Sequence, residues 1–157
     1  MYKITNLLIN REAGETEYTC FLVASNKIVG HCFADEEGDG IRILYIEDDA
    51  EQKFCQYLES LPPFENPYAE NDLVTWTPEF FVGEQIADVE ERRWLRRACR
   101  TKTVFRLSKD RRRHFRTLDS VYNPNLKEYL LRTFGDGVQI MNEQKGCRHD
   151  TKVAQST

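Results

Sequence analysis

The first 46 residues alternate between apolar or β-branched runs and short polar turns. Runs of this kind, bounded by Asn, Gly and acidic residues, are typical of antiparallel strands joined by hairpins. The pattern predicts four strands, at residues 2–10, 17–24, 27–34 and 41–46. We therefore expect the chain to begin with a β-meander.

The apolar positions then change to a helical spacing. Asp48 or Asp49 can cap a first helix, with Gln52 reaching back as in a capping box, and Pro62-Pro63 ends it. Its apolar residues fall within an arc of about 100°, the width of a core-facing stripe. They are Phe54, Tyr57, Leu58 and Leu61.

Two further helices have clear start signals. Thr77-Pro78-Glu79 combines a hydroxyl cap, an early proline and an acid, and predicts a helix to about Arg100. Asn123-Pro124 repeats the cap and the proline before a helix that Gly135 closes. Between these helices, residues 101–107 and 113–118 predict a hairpin around residues 108–111.

The order of elements predicts an α+β fold, in which an N-terminal antiparallel β-meander with one helix precedes a helix–β-hairpin–helix arrangement. We expect one compact domain over residues 1–143, with halves 1–63 and 72–143 joined by the loop 64–71. Residues 144–157 have no periodicity and few large apolar side chains, which predicts a disordered tail. Six residues on the helical stripes should be mostly buried: Phe54, Leu58, Trp94, Leu95, Leu126 and Leu130.

Composition favours a soluble, cytoplasmic protein. Hydrophobic residues make up 40% of the 157 residues and charged residues 31%, and no run approaches the roughly 18 apolar residues of a membrane span. The N-terminus lacks the apolar segment of a signal peptide. Five scattered cysteines without C-x-x-C spacing favour neither a disulfide framework nor a zinc site.

Charge is strongly polarised along the chain. Residues 1–91 carry 5 basic and 20 acidic residues, a net charge of -15. Residues 92–116 carry 12 basic residues and one acid, a net charge of +11. The overall net charge of -4 conceals this contrast.

The basic segment is the main functional signal. Its helical arginines span an arc of about 140°, and its hairpin continues the charge. Clustered guanidinium groups bind phosphates and release counterions, which predicts a non-enzymatic nucleic-acid-binding protein. The predicted phosphate-binding residues are Arg92, Arg93, Arg96, Arg97, Arg100, Lys102, Arg106, Lys109, Arg111, Arg112, Arg113 and Arg116, with His114 and Phe115 available to stack on a base.

Other interpretations of the charge stay open. The arginines could face the acidic half of the same chain, remain solvated, or bind an acidic protein surface. The acidic half could instead mimic nucleic acid, in an inhibitor or regulator of a nucleic-acid-processing or defence system. Neither DNA nor RNA is favoured as the ligand, and the oligomeric state is not determined by the sequence.

Catalytic and metal-binding signals are few. Asp35, Glu37 and Asp39 resemble half of a calcium loop, but the twelfth position holds Ile46 instead of a bidentate glutamate. A small metal-dependent enzyme built on residues 47–49 is an alternative, although acids at a helix N-terminus have a simpler explanation. We expect no cofactor, no metal and no catalytic residue.

Two stretches have a recognisable pattern. The first is Ser25-Asn26-Lys27-Ile28-Val29-Gly30, followed by the acidic loop and a helix ending Leu58-Glu59-Ser60-Leu61-Pro62-Pro63. The second is Lys102-Thr103-Val104-Phe105-Arg106-Leu107 with the segment from Tyr129 to Asn142-Glu143. Both resemble a family of small uncharacterised bacterial proteins carried on phages, plasmids and conjugative elements. The resemblance implies a mobile-element context and no particular activity.

Overall fold

The mixed α+β class is confirmed, and the predicted strands and helices follow one another as expected, with three further short strands among them. The computed structural model describes residues 1–12, 15–34, 40–66, 73–144 and 147. Its strands are β1 (Tyr2–Glu12), β2 (Glu15–Ala24), β3 (Lys27–Ala34), β4 (Ile41–Tyr45), β5 (Phe64–Glu65), β6 (Leu73–Val74), β7 (Thr103–Leu107), β8 (Arg116–Leu118) and β9 (Val138–Ile140). Its α-helices are α1 (Ala50–Glu59), α2 (Pro78–Thr101) and α3 (Pro124–Phe134).

The contacts divide the chain into an N-terminal unit, Met1–Val89, and a C-terminal unit, Glu90–Thr157. The boundary lies inside α2, whereas the sequence placed the joint between the two halves at residues 64–71. A single domain over residues 1–143 stays a prediction. The predicted tail, 144–157, lies outside the described residues except for Gln144 and Cys147.

The N-terminal unit is built on the predicted β-meander, a four-stranded antiparallel sheet in the order β1-β2-β3-β4. Cys20 lies opposite Cys32, which lies opposite Ile43. Because side chains on adjacent strands at matching positions share a face, these three residues point to the same side of the sheet. Cys20 and Cys32 are buried there in the hydrophobic core.

Helix α1 contributes the aromatic centre of that core. Phe54 is completely buried, and its ring centroid lies 4.6 Å from that of Tyr2 and 5.5 Å from that of Phe81. The predicted capping box is wrong, because Asp49 occupies the N-cap position without a side-chain cap hydrogen bond. Its carboxylate instead pairs with Lys53, one turn later, at 2.6 Å.

The segment before α2 contains a hairpin that the sequence pattern did not reveal. β5 and β6 pair through only two residues each, too few for a periodicity to be recognised. Phe64 packs edge-on against Trp76 at 4.9 Å, and the indole of Trp76 donates a hydrogen bond to the Pro62 carbonyl. Helix α2 then begins as predicted, with the Thr77 hydroxyl accepting from the Phe80 amide at 3.2 Å.

In the C-terminal unit β7 is the central strand of a three-stranded antiparallel sheet ordered β8-β7-β9. The β7–β8 hairpin was predicted, and β9 was not. Helix α3 begins as the sequence indicates, because the Asn123 side chain accepts hydrogen bonds from two amides of the first turn. Gly135 ends the helix with φ at 69°, in the left-handed region that favours glycine.

The burial predictions fail at one of the six positions. Phe54, Leu58, Leu95 and Leu130 are buried, and Leu126 is half-buried. Trp94 was expected in the core and is 39% exposed. The helix buries Leu95 and Cys99 instead, which places Trp94 at the edge of the core-facing stripe.

We predict that Phe54→Ala lowers the free energy of unfolding by about 3–5 kcal/mol, because it empties the centre of the aromatic cluster. Leu44→Ala is the matched control, since Leu44 is 61% exposed on the same unit and should cost well under half as much. Urea denaturation followed by circular dichroism measures both. Equal losses for the two variants would contradict this location of the core.

Candidate nucleic-acid interface

The C-terminal part of α2 separates apolar from basic side chains. Leu95 and Cys99 are buried with Val104 and Met141 in a core cluster of the C-terminal unit. Five arginines occupy the remaining faces, and all five are exposed: Arg92, Arg93, Arg96, Arg97 and Arg100. The apolar positions three to four residues apart therefore fix the direction in which the arginines point.

Asn142 holds the end of this helix against β7. Its side-chain oxygen accepts from the Val104 amide at 2.7 Å, and its amide nitrogen donates to the carbonyls of Lys102 and Cys99 at 2.9 and 3.3 Å. The last carbonyls of a helix lack intrahelical partners. A buried side chain from 40 residues later therefore satisfies backbone groups where α2 passes into β7.

Asp110 organises the connection between β7 and β8. Its side chain is only 5% exposed, and it accepts from the Leu107 amide at 2.8 Å and from two Arg116 nitrogens at 2.9 and 2.8 Å. The Arg116 guanidinium and this amide hold the pKa of Asp110 far below its usual value. The one acid of residues 92–116 is thus enclosed in its own ion pair.

The connection between β7 and β8 also packs beside α2. The Trp94 and Phe115 ring centroids lie 5.7 Å apart, with 30° between the ring planes. The Arg113 Nε atom lies 3.3 Å from the Glu91 carboxylate, and Arg113 has φ at 65°. These contacts bring the basic residues of the hairpin connection close to those of the helix.

Four of the predicted phosphate-binding residues have defined partners inside the C-terminal unit. Arg113 and Arg116 pair with Glu91 and Asp110, as described. Lys102 pairs with Asp119 at 2.8 Å, and Arg106 donates to the Gln139 side-chain oxygen at 2.6 Å. Three more arginines also interact within the protein: Arg92, Arg93 and Arg112.

Five other basic side chains take part in no ion pair within the described ranges of the chain. All five are exposed: Arg96, Arg97, Arg100, Lys109 and Arg111. We call them, together with the exposed Arg92, Arg93 and Arg112, the basic surface.

The two predicted stacking residues have different surroundings. His114 is exposed, and Phe115 is half-buried against the cluster that contains Leu95 and Cys99. Trp94 is the more exposed ring of the pair that it forms with Phe115. Sequence reasoning missed Trp94, although its position about 60° from Arg97 around the helix places it beside the arginines.

The N-terminal and C-terminal units carry opposite net charges. Residues 1–89 carry 5 basic and 18 acidic residues, a net charge of -13. Residues 90–157 carry 17 basic and 8 acidic residues, a net charge of +9.

In the part of the chain that the structure describes, no three His, Cys, Asp or Glu side chains are grouped as metal ligands. The acidic loop 35–39 lies outside the described residues.

Comparison with protein-family models, curated proteins and solved structures finds no match to this chain. Family membership therefore stays a prediction. None of the described helices is long and apolar enough to cross a membrane. The basic surface is the feature of the described residues that points to a function.

We predict that Asn142→Ala lowers the free energy of unfolding by about 3 kcal/mol, because it removes three hydrogen bonds, two of them buried and one part-buried. Asn142→Asp should be at least as harmful, since it places a second acceptor oxygen against the carbonyls of Cys99 and Lys102. Asn125→Ala, at an exposed position of α3, is the control and should change stability by less than about 0.5 kcal/mol. Wild-type stability of Asn142→Asp in urea denaturation would refute this role.

The Asp110 ion pair should make stability depend on pH. A carboxylate whose folded pKa is depressed stabilises the fold above its unfolded pKa of about 3.9, and the effect is lost as the pH falls through the folded value. The stability difference between the wild type and Asp110→Asn should therefore be largest near neutral pH and shrink steadily below about pH 4. A stability difference between the two proteins that stays constant down to about pH 2.5 would contradict a stabilising role of the Asp110 ion pair. Thermal unfolding across a pH series provides the measurement.

Proposed function

We propose that the protein binds nucleic acid, without catalysing a reaction on it, through the basic surface. The observation that carries this proposal is the presence of five exposed cationic side chains that take part in no ion pair within the described residues. Four of them are arginines, whose guanidinium groups fit phosphate oxygens in a bidentate geometry. The sequence resemblance suggests a mobile-element setting, and the role that we propose there is cytoplasmic and regulatory.

The arrangement around these residues supports the proposal. The nearby cations that have partners, among them Arg113 and Arg116, hold the hairpin connection in place, which leaves the others available for an external anion. Like charges at neighbouring helical positions repel each other and destabilise the isolated helix. A bound polyanion removes that repulsion and releases its own counterions.

The alternative of an acidic protein partner makes different predictions. A protein surface presents carboxylates at fixed positions, so binding to it depends on shape as well as charge. A nucleic-acid backbone presents regularly spaced phosphates, and affinity for it falls linearly with the logarithm of salt concentration. The salt dependence therefore distinguishes the two partners.

We predict that the triple variant Arg96→Ala, Arg97→Ala, Arg100→Ala binds nucleic acid more weakly and with a shallower salt dependence. Each lost phosphate contact reduces the slope of log affinity against log salt by about 0.9 for duplex DNA and about 0.7 for single strands. A decrease of roughly two to three in the slope is therefore expected on duplex DNA. Fluorescence anisotropy with labelled DNA and RNA across a salt series measures it.

The control is Lys3→Ala, Lys53→Ala, Arg132→Ala, which removes the same charge from exposed positions outside the basic surface. This control should keep the wild-type slope. If the wild type shows no salt-sensitive binding to any strand at low ionic strength, the proposal fails. Charge reversals at Asp35, Glu37 and Asp39 would then test the acidic-mimic inhibitor, in which the N-terminal unit is the active surface.

A further inference from the structure

Trp94 is a large aromatic side chain that the fold leaves in contact with solvent. It is 39% exposed, although burying such a ring is among the most favourable contributions a side chain can make. Phe115 contacts Trp94 and also packs against the buried cluster of Leu95, Cys99, Val104 and Met141. The indole is therefore supported by a half-buried ring that is itself packed against the core.

The guanidinium-bearing side chain of Arg97 lies next to this ring on the helix surface. Arg97 lies three residues after Trp94, a spacing that brings their Cβ atoms to about 5–6 Å on the helix surface. Arg97 is exposed, and no described carboxylate pairs with it. A flat ring beside a free guanidinium can hold the base and the phosphate of one nucleotide at the same time.

This pair distinguishes between forms of nucleic acid. In a duplex both faces of each base are covered by the neighbouring base pairs, so a side chain on the rigid face of a helix can reach a base only after it is unstacked. In a single strand the faces are accessible, and stacking on an aromatic side chain adds to the binding of the backbone. An exposed tryptophan within a basic surface is therefore useful for single strands and adds little on a duplex.

We propose that Trp94, supported by Phe115 and flanked by Arg97, is a stacking platform for an unpaired base, and that the protein's ligand is single-stranded nucleic acid. This inference rests on the proposed function. It assigns the stacking role to Trp94, whereas the sequence suggested His114 and Phe115.

The first test compares a single-stranded oligothymidylate with a DNA hairpin duplex. Loss of one stacked base corresponds to about a tenfold loss of affinity or more. Trp94→Ala should weaken single-strand binding by roughly that factor with an unchanged salt slope, because no phosphate contact is removed. Trp94→Phe should retain most of the affinity, and Tyr129→Ala, which removes another exposed ring of the C-terminal unit, should retain all of it.

The second test uses the fluorescence of the indole. The chain has two tryptophans, so Trp76→Phe leaves Trp94 as the only reporter. Oligothymidylate should quench it and protect it from acrylamide, whereas inorganic polyphosphate, which has charge and no bases, should do neither. Circular dichroism and thermal unfolding check that each variant is folded. If Trp94→Ala is not folded, the quenching comparison, which needs only Trp76→Phe, still tests the inference.

The outcomes separate this inference from the proposed function. If Trp94→Ala binds single strands as the wild type does, or if polyphosphate quenches Trp94 as strongly as oligothymidylate, the stacking platform is refuted. The arginine triple variant can still flatten the salt slope in that case, and the basic surface then acts on phosphates alone. Absence of binding to every single-stranded and duplex DNA and RNA at low ionic strength refutes both proposals.

Discussion

The side chain of Asn142 joins three parts of the C-terminal unit that carry the basic surface. Only Lys102 separates the end of α2 from the start of β7, so no residues are available for the glycine cap that commonly ends a helix. The Asn142 amide satisfies the carbonyls of Cys99, in the last turn of α2, and of Lys102, and its oxygen accepts from the Val104 amide of β7. Without these bonds, buried backbone groups would be left unsatisfied, which is costly. Asn142 therefore helps to fix the end of the arginine-bearing helix against β7, together with the packing of Leu95 and Cys99.

Asp110 has a comparable role at the other end of β7, where it accepts a hydrogen bond from the Leu107 amide. Its nearly buried carboxylate also accepts two hydrogen bonds from Arg116. One cation of the dense basic segment therefore stabilises the fold. Arg113 also has a partner, because its Nε atom lies 3.3 Å from the Glu91 carboxylate in an ion pair. The basic residues therefore divide into two groups that the sequence does not distinguish. One group forms ion pairs that stabilise the connection between β7 and β8. The other group is exposed on that connection and on α2.

Strands and helices with a long periodic pattern or a recognisable cap could be predicted from sequence. The Asn123 cap and the Gly135 end of α3 are local devices, and local chemistry determines them. β9 and the β5–β6 hairpin have two or three residues per strand, and their pairing depends on tertiary neighbours. The predicted burial of Trp94 is wrong for a related reason. The helical periodicity defines the centre of the apolar stripe well and its edges poorly. A residue at the edge of the stripe is buried only if a tertiary neighbour covers it. The ion pairs that divide the basic residues are likewise set by tertiary distances.

The two contributions assigned to the basic surface act over different ranges. Charge attraction extends over about a Debye length, roughly 8–10 Å at moderate salt, and draws in any polyanion. The N-terminal unit, with a net charge of -13, repels the same ligand, so the long-range field favours approach to the C-terminal unit. Stacking on Trp94 acts only at contact and does not depend on salt. A ligand with phosphates alone therefore gains the first contribution, and a strand with accessible bases gains both. Raising the salt concentration should consequently lower the affinity for every nucleic acid, while the factor that stacking contributes to the affinity for single strands stays the same.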